Sequence, residues 1–295
     1  MTCRDFGLFL KEKFPFKVQK ISINAGFTCP NRDGSKGRGG CTYCNNRTFS
    51  PQYAAGGKSV TRQLEEGIRF FSRKYPAMKY LAYFQSYTNT YGDIGRLLAL
   101  YREALAFPEV VGLIISTRPD CVPDALLDEL GKIAENRFLL MEYGIESTCD
   151  STLKLINRCH TYEDSIEAVK RTHSRGIYCG AHLILGLPGE DRETLLRHAD
   201  RISELPLTTL KLHQLQIIKG SAMEVQYREN PEMFHLFTVD EYIDLCIDFV
   251  KRLNPEFYIE RLTSQSPAEL LAVPGWGLKN HEFTAKWKAK LATVA

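Results

Sequence analysis

Three cysteines early in the chain have a spacing that suits metal chemistry. Cys29 precedes a glycine-rich stretch, and Cys41 and Cys44 follow it with two residues between them. Cysteines at this separation can direct both thiolates to one metal centre, and a flexible loop can return the third. A structural zinc ion takes four closed ligands, whereas three cysteines on a four-iron cluster leave one iron open. The next cysteine is Cys121 and the first histidine is His160. The sequence therefore favours an iron–sulfur cluster, with zinc completed by a distant residue as the alternative.

The overall composition is typical of a soluble globular protein. The 295 residues are 44% hydrophobic and 25% charged, which suits one α/β barrel or two small domains. No stretch approaches the roughly 18 apolar residues that span a bilayer, and residues 1–20 lack the apolar core of a secretory signal. We therefore expect a cytoplasmic protein without a membrane partner. Its nine cysteines are expected to be reduced, and most of the other six to be small buried residues.

Positive charge is concentrated at the N-terminal end. The formal net charge is +3, yet residues 1–60 carry ten Lys and Arg against three Asp and Glu. A second basic patch closes the chain, where lysines are interspersed with aromatic residues. Such a mixture could bind a polyanion with exposed bases, or could be an ordinary solvated surface. The patch consists of Lys279, Lys286, Lys288 and Lys290 with Trp276, Phe283 and Trp287.

Short apolar runs alternate with amphipathic stretches along the chain. Thr161 and Thr238 each open a predicted helix with a capping box. Strands that alternate with helices are parallel, so the sequence predicts a full or partial barrel or an open doubly wound sheet. In both architectures ligands bind at the carboxyl ends of the strands. The six predicted strands are Val18–Asn24, Tyr80–Gln85, Val110–Ser116, Phe138–Gly144, Tyr178–Gly186 and Thr209–Ile217.

The cysteine loop resembles a known family. The run from Asn24 to Gly34, together with Gly39 to Cys44, is similar to the YhcC/YtqA group of radical S-adenosylmethionine (SAM) proteins. That group is related to the radical SAM domain of the Elongator catalytic subunit. The resemblance implies an α/β fold, a partial (β/α)6-type radical SAM barrel of parallel strands with outer helices. It places the barrel domain at residues 1–255, with the cluster loop at 24–46, and a C-terminal extension that packs on the barrel at 256–295.

The same resemblance implies the cofactors and several of their contacts. Cys29, Cys41 and Cys44 match the ligands of a [4Fe–4S] cluster, and the open iron would bind SAM. Tyr43 stands where relatives place an aromatic residue near the adenine. Further expected SAM contacts follow the second and third predicted strands. They are Gln85 and Ser86, then Ser116 and Arg118 in a run that matches an Elongator-like signature.

The fourth and fifth predicted strands supply the other expected SAM contacts. Glu146 lies where relatives often have a Gln that reaches the ribose or methionine part. Arg158 could pair with the SAM carboxylate, and Glu142, His182 and Gly189 belong to the matching motifs. Structural alternatives exist. Glu142 and Arg158 could pair with each other, His182 could be a core histidine, and Gly189 could permit a tight turn.

The resemblance implies a reaction as well. A radical SAM enzyme cleaves SAM reductively to a 5′-deoxyadenosyl radical, which requires a reductase or an electron donor of the flavodoxin or ferredoxin type. The Elongator-like branch implies tRNA as the substrate, modified at the wobble-uridine side chain. The sequence identifies no catalytic acid or base. Two alternatives are a radical SAM oxidase of a small molecule, of the porphyrin-precursor type, and a non-enzymatic zinc-binding adaptor.

Overall fold

The structure of the protein is a computed structural model. It describes residues 3–45, 48, 51–54, 57–73, 75 and 77–294. Asn46, the last residue of the predicted cluster loop, lies outside the described residues, as does Arg47.

A curled sheet of seven strands forms the centre of the protein. Every neighbouring pair is parallel, and the spatial order follows the chain from β1 to β6 and ends on β8. Two short strands, β7 and β9, pair antiparallel in a separate ribbon. The bounds are β1 Val18–Ile23, β2 Lys79–Phe84, β3 Val110–Thr117, β4 Phe138–Glu146, β5 Tyr178–Leu185, β6 Thr209–Gln214, β7 Ile217–Ile218, β8 Tyr258–Arg261 and β9 Leu271–Val273.

Helices cover the outer face of this sheet and bury a continuous apolar core against it. The predicted capping boxes at Thr161 and Thr238 are both present, because each hydroxyl accepts from the backbone three residues on while that residue's carboxylate returns to the cap. The bounds are α1 Phe6–Lys13, α2 Val60–Ser72, α3 Ile94–Leu105, α4 Asp124–Ala134, α5 Asp150–Leu155, α6 Tyr162–His173, α7 Arg192–Ser203, α8 Ala222–Glu229, α9 Val239–Arg252 and α10 Asn280–Val294.

The predicted partial barrel is confirmed, with one strand more than expected. All six predicted strands exist, although the sixth ends at Gln214 instead of Ile217. The additional strand, β8, lies in the segment that was assigned to the C-terminal extension and extends the sheet beyond β6. The domain boundary at residue 255 stays a prediction.

Helix α1 covers one part of the concave face. Phe6 and Phe9 are buried there against inward-facing side chains of the strands. The Phe9 ring lies 4.9 Å from the Tyr258 ring of β8, and Leu81 and Leu140 complete the contact from β2 and β4. An apolar floor of this kind leaves the carboxyl ends of the strands as the open side of the half-barrel.

A buried carboxylate occupies the middle of the concave face. The carboxylate of Glu142 in β4 lies 2.7 Å from Lys211 Nζ of β6 and 3.3 Å from Lys20 Nζ of β1. Glu260 of β8 binds the same two lysines, at 2.5 Å to Lys20 and 3.0 Å to Lys211. Burial alone would raise the pKa of Glu142, but the two lysines hold it well below its usual range. Two cations and two carboxylates thus connect four strands that are not all neighbours.

Helix α10 packs its apolar side chains into the core, and this changes the interpretation of the basic patch at the C-terminal end. Phe283 and Trp287 of α10 are buried, so they cannot stack on bases. Lys288 lies 3.7 Å from Asp5, and Lys290 lies 2.6 Å from Asp244. Of the two alternatives for this patch, the one in which bases stack on Phe283 and Trp287 is excluded, because the apolar face of α10 serves the core instead. Within the described ranges, no helix is long and apolar enough to cross a membrane.

We predict that Glu142→Gln destabilises the protein by about 3 kcal/mol, because it leaves the buried Lys211 and the half-buried Lys20 short of one negative charge. Urea unfolding at neutral pH measures the change. Since the folded pKa of Glu142 is depressed, this difference should be present above the ordinary carboxyl pKa and shrink as the pH falls below it. Glu163→Gln, at an exposed carboxylate of α6, is the control. Equal stability of the two variants would contradict a structural role for the Glu142 network.

Candidate functional site

The cysteine loop leaves the carboxyl end of β1 and is fixed to elements distant in sequence. The amide of Gly40 donates to Asn31 O at 2.8 Å, and the amide of Thr42 donates to Ile156 O beyond α5 at 3.0 Å. Gly37 is a position where only glycine fits, because a Cβ there would meet Asn31 Oδ1 at 2.0 Å. The glycine-rich stretch is therefore held in one conformation against the body of the protein.

The three predicted ligands, Cys29, Cys41 and Cys44, line one cavity at the carboxyl ends of the strands, which we call the cysteine cavity. Cys41 is buried and the other two are half-buried. Burial raises the pKa of Cys44 to about 12, with Cys41 adding to the effect. Three thiols on one cavity suit a cluster that binds each thiolate through a separate iron and leaves a fourth iron open.

Polar nitrogens surround Cys41. Asn31 Nδ2 and Arg158 Nη1 each lie 3.5 Å from its sulfur. Donors of this kind stabilise a thiolate and tune the potential of an iron–sulfur cluster. Nε of Arg158 is buried without a hydrogen-bond partner, and so is Nη1 of Arg118. A buried guanidinium nitrogen without a partner is costly, so the site fits an anionic or thiolate-rich group beside these arginines. The residues thus fit a [4Fe–4S] cluster with SAM.

Most of the predicted SAM contacts meet at this cavity, but three do not line it. Glu142 lies beneath it, where its carboxylate accepts from Ser116 Oγ at 2.9 Å and contacts His182 Nε2 at 3.2 Å. Ser86 is buried directly after β2, and Gly189 adopts a left-handed turn after β5 with φ +83°. The predicted contacts that do line the cavity are Tyr43, Gln85, Ser116, Arg118, Glu146, Arg158 and His182.

Arg158 is held from two sides. Its Nη2 donates to Gly144 O at 2.5 Å and lies 3.5 Å from Glu146 Oε1. The alternative pairing of Glu142 with Arg158 is therefore wrong, because Glu142 is bound by lysines and Arg158 by Glu146. Arg118 binds Asp120 with two nitrogens, at 2.9 and 3.0 Å. Both guanidinium groups are thereby oriented at the strand ends.

Sequence reasoning missed the wall of the cavity formed by β6 and β8. His213 Nε2 accepts from Arg261 Nη2 at 2.8 Å, and its ring stacks on that of His182 at 5.5 Å. Burial and Arg261 hold the pKa of His213 well below its usual range, so the ring is neutral. The missed residues that line this wall are His213, Gln214, Gln216, Arg261, Ser264 and Ser266.

A second group of potential ligands lies outside the cavity. One ligand atom from each of Cys149, Glu190 and His198 falls within 4.8 Å of the others. Ser147 Oγ donates to Glu190 Oε1 at 2.5 Å, and Thr148 Oγ1 contacts His198 Nδ1 at 2.8 Å. This buried network attaches the loop after β4 to α7. Its place in the fold is to hold that loop, which directly follows Glu146 at the end of β4.

Two family sequence models match this chain. The sequence model of the Radical SAM superfamily matches residues 27–202, and that of the Radical_SAM C-terminal domain matches residues 207–293. The chain belongs to the radical SAM superfamily. Membership implies SAM and a [4Fe–4S] cluster as cofactors.

The relatives confirm the predicted group. YtqA of Bacillus subtilis is 34% identical over 273 residues, which is 92% of this chain and 84% of YtqA. YhcC of Escherichia coli K12 is 35% identical over 272 residues, 92% of this chain and 86% of YhcC. A tRNA uridine(34) acetyltransferase of Methanocaldococcus jannaschii is 25% identical over 165 residues, 55% of this chain and 29% of that enzyme.

The fold is shared with a solved structure. Elp3 of the archaeon Methanocaldococcus infernus, with its N-terminus deleted, superposes with a TM-score of 0.68 at 16% identity. The match covers 94% of this chain and 63% of that one. The resemblance at this identity concerns the architecture, the curled parallel sheet and its outer helices.

We predict that anaerobically reconstituted protein contains about four irons per chain, and that Cys44→Ala loses them, because three thiolates hold the cluster. Iron analysis and the visible absorption spectrum measure the loss. Cys246→Ala, at a buried thiol of α9, should keep the iron of the wild type. Full iron content in Cys44→Ala, or stoichiometric zinc in the wild type, would remove these cysteines from a cluster site.

Proposed function

We propose that this protein is a radical SAM enzyme that modifies tRNA at the wobble uridine. The observation that carries the proposal is the convergence of Cys29, Cys41 and Cys44 with Arg158 on one cavity at the strand ends. The cluster and SAM, when bound, supply a 5′-deoxyadenosyl radical that abstracts a hydrogen atom from the substrate.

The residues of the chain have binding and positioning roles in this proposal. Arg158, oriented by Gly144 and Glu146, would bind the SAM carboxylate with a planar pair of donors. Tyr43 and Gln85 line the same cavity and would contact the adenine and the amino group. The apolar floor beneath α1 and the buried Glu142 network exclude water from below, which protects a reactive species.

The proposed tRNA substrate is supported by the name of one relative and by charge near the mouth of the cavity. The archaeal enzyme that is similar in sequence to part of this chain is a tRNA uridine(34) acetyltransferase. Arg32 and Arg38 on the cysteine loop are exposed, so they can contact phosphates. Lys36 donates instead to Asp120 at 2.6 Å, which leaves it less available.

Two further features belong to the same proposal. Gln214, Gln216, Ser264 and Ser266 line both the cysteine cavity and a second cavity beneath residues 263–279. This continuity gives a large substrate a route to the strand ends.

Reductive cleavage of SAM also requires an electron, which we propose comes from a reductase or from a donor of the flavodoxin or ferredoxin type.

We predict that tRNA binding falls steeply with salt, by roughly 0.7–0.9 log units per log unit of salt for each phosphate neutralised. Arg38→Ala should flatten this slope by about one phosphate contact without loss of iron, because Arg38 is exposed and supplies no ligand. Filter binding of bulk tRNA across a salt series measures the slope. Arg197→Ala, at an exposed arginine of α7, is the matched control. Undetectable or salt-independent binding by the wild type would contradict the tRNA proposal and favour a small-molecule substrate.

A further inference from the structure

Almost every charged side chain in the wall or floor of the cysteine cavity has a partner of opposite charge. Arg118 binds Asp120, and Arg158 lies beside Glu146. Beneath the cavity, Lys20 and Lys211 share Glu142 and Glu260. Arg32 is exposed at the mouth, where water solvates its charge.

Arg261 is the exception. It follows Glu260 at the end of β8 and lines the cavity, yet among the residues that the structure describes no carboxylate pairs with it. Its neighbour Glu260 is bound by Lys20 and Lys211 instead. The polar contact of the guanidinium is Nη2 to His213 Nε2 at 2.8 Å, and Nε is buried without a partner. A partly buried cation with an open donor lacks the counter-charge that such a group normally has.

His213 does not supply that counter-charge. Its Nε2 accepts the Arg261 proton, so the ring nitrogen carries no hydrogen of its own and the imidazole is neutral. This contact instead fixes the orientation of the guanidinium, and His182 stacks behind His213 at 5.5 Å. Arg261 is therefore held in place with a free charge and a free donor, the arrangement that binds an oxyanion.

The cofactors do not account for this cation. Arg158 contacts Cys41 at 3.5 Å, so it lies against the cluster and suits the carboxylate of SAM. Arg261 contacts the end of β6, two strands beyond β4 in the sheet. It lines the same cavity as Ser264 and Ser266, which also line the second cavity. The two arginines thus define two separate positions for anions, and the second lies on the substrate's route.

We propose that Arg261 binds an anionic group of the substrate, which is a phosphate of the target nucleotide. The identity of the anion as a nucleotide phosphate rests on the proposed tRNA function. The role of Arg261 is to anchor the substrate, and His213 is its positioning residue.

The test compares binding of uridine 5′-monophosphate and uridine to the anaerobic holoprotein with saturating SAM, by calorimetry. The wild type should bind the monophosphate at least about tenfold more tightly than uridine, since a charge-assisted contact contributes on this scale. Arg261→Gln should bind the two ligands equally, and Arg261→Lys should keep part of the preference because it keeps the charge. SAM affinity should be unchanged in both variants. Arg197→Gln, remote from the cavity, is the matched control.

Three results would overturn the proposal. One is a preference for the monophosphate that survives in Arg261→Gln. Another is a loss of SAM affinity in that variant with the nucleotide preference intact, which would assign Arg261 to the SAM carboxylate. The third is a wild type without any preference. In that case tRNA binding in the salt series decides whether the tRNA function fails too, because it is measured independently of Arg261.

Discussion

The buried carboxylate of Glu142 is the constraint on which the concave face of this protein depends. It lies between Lys20 of β1 and Lys211 of β6, and Glu260 of β8 binds the same lysines. Taking such charges from water is costly, and their attraction offsets the cost only when all partners are present. The network therefore penalises any arrangement in which the two edges of the sheet separate. It also orders the wall above it, since Ser116 and His182 both contact Glu142.

The cavity above this network is assembled from segments far apart in sequence. The cysteine loop arrives from β1, Arg158 from the segment after β4, and Arg261 from the end of β8. Each is fixed by contacts to another segment, as Thr42 is to Ile156 and Arg261 is to His213. Preorganised donors of this kind need little rearrangement when a ligand binds. The resulting surface has thiols on one side and cationic groups distributed around the others, which suits anionic ligands.

The sequence predicted the strands well because their apolar runs are long. It missed β8, whose four residues include Glu260 and Arg261, because polar residues interrupt the pattern on which strand prediction depends. The end of β6 was placed three residues late at Ile217, so Gln216 was counted as strand, and Gln214 at the strand end was not recognised as part of the site.

Other parts of the site could not be read from the chain alone. Glu142 and Lys20 are 122 residues apart, and only the folded sheet brings them together. The sequence motif that contains Glu142 predicted a contact with the cofactor for this residue. The fold instead places Glu142 beneath the cavity. In the C-terminal patch, the sequence allows Trp287 to lie on either the exposed or the buried face of its helix. Packing against the barrel determines that it is buried. The cysteine spacing, by contrast, is local, and it predicted the three residues that the structure brings to one cavity.

The cysteine cavity is expected to bind a cluster with an open iron and to present SAM to it. The most direct measurement is a single-turnover assay on reduced, iron-replete protein mixed with SAM under anaerobic conditions, with the products separated by chromatography. We expect 5′-deoxyadenosine and methionine in equal amounts. Protein that carries its full cluster and is reduced, yet leaves SAM intact, would contradict that expectation.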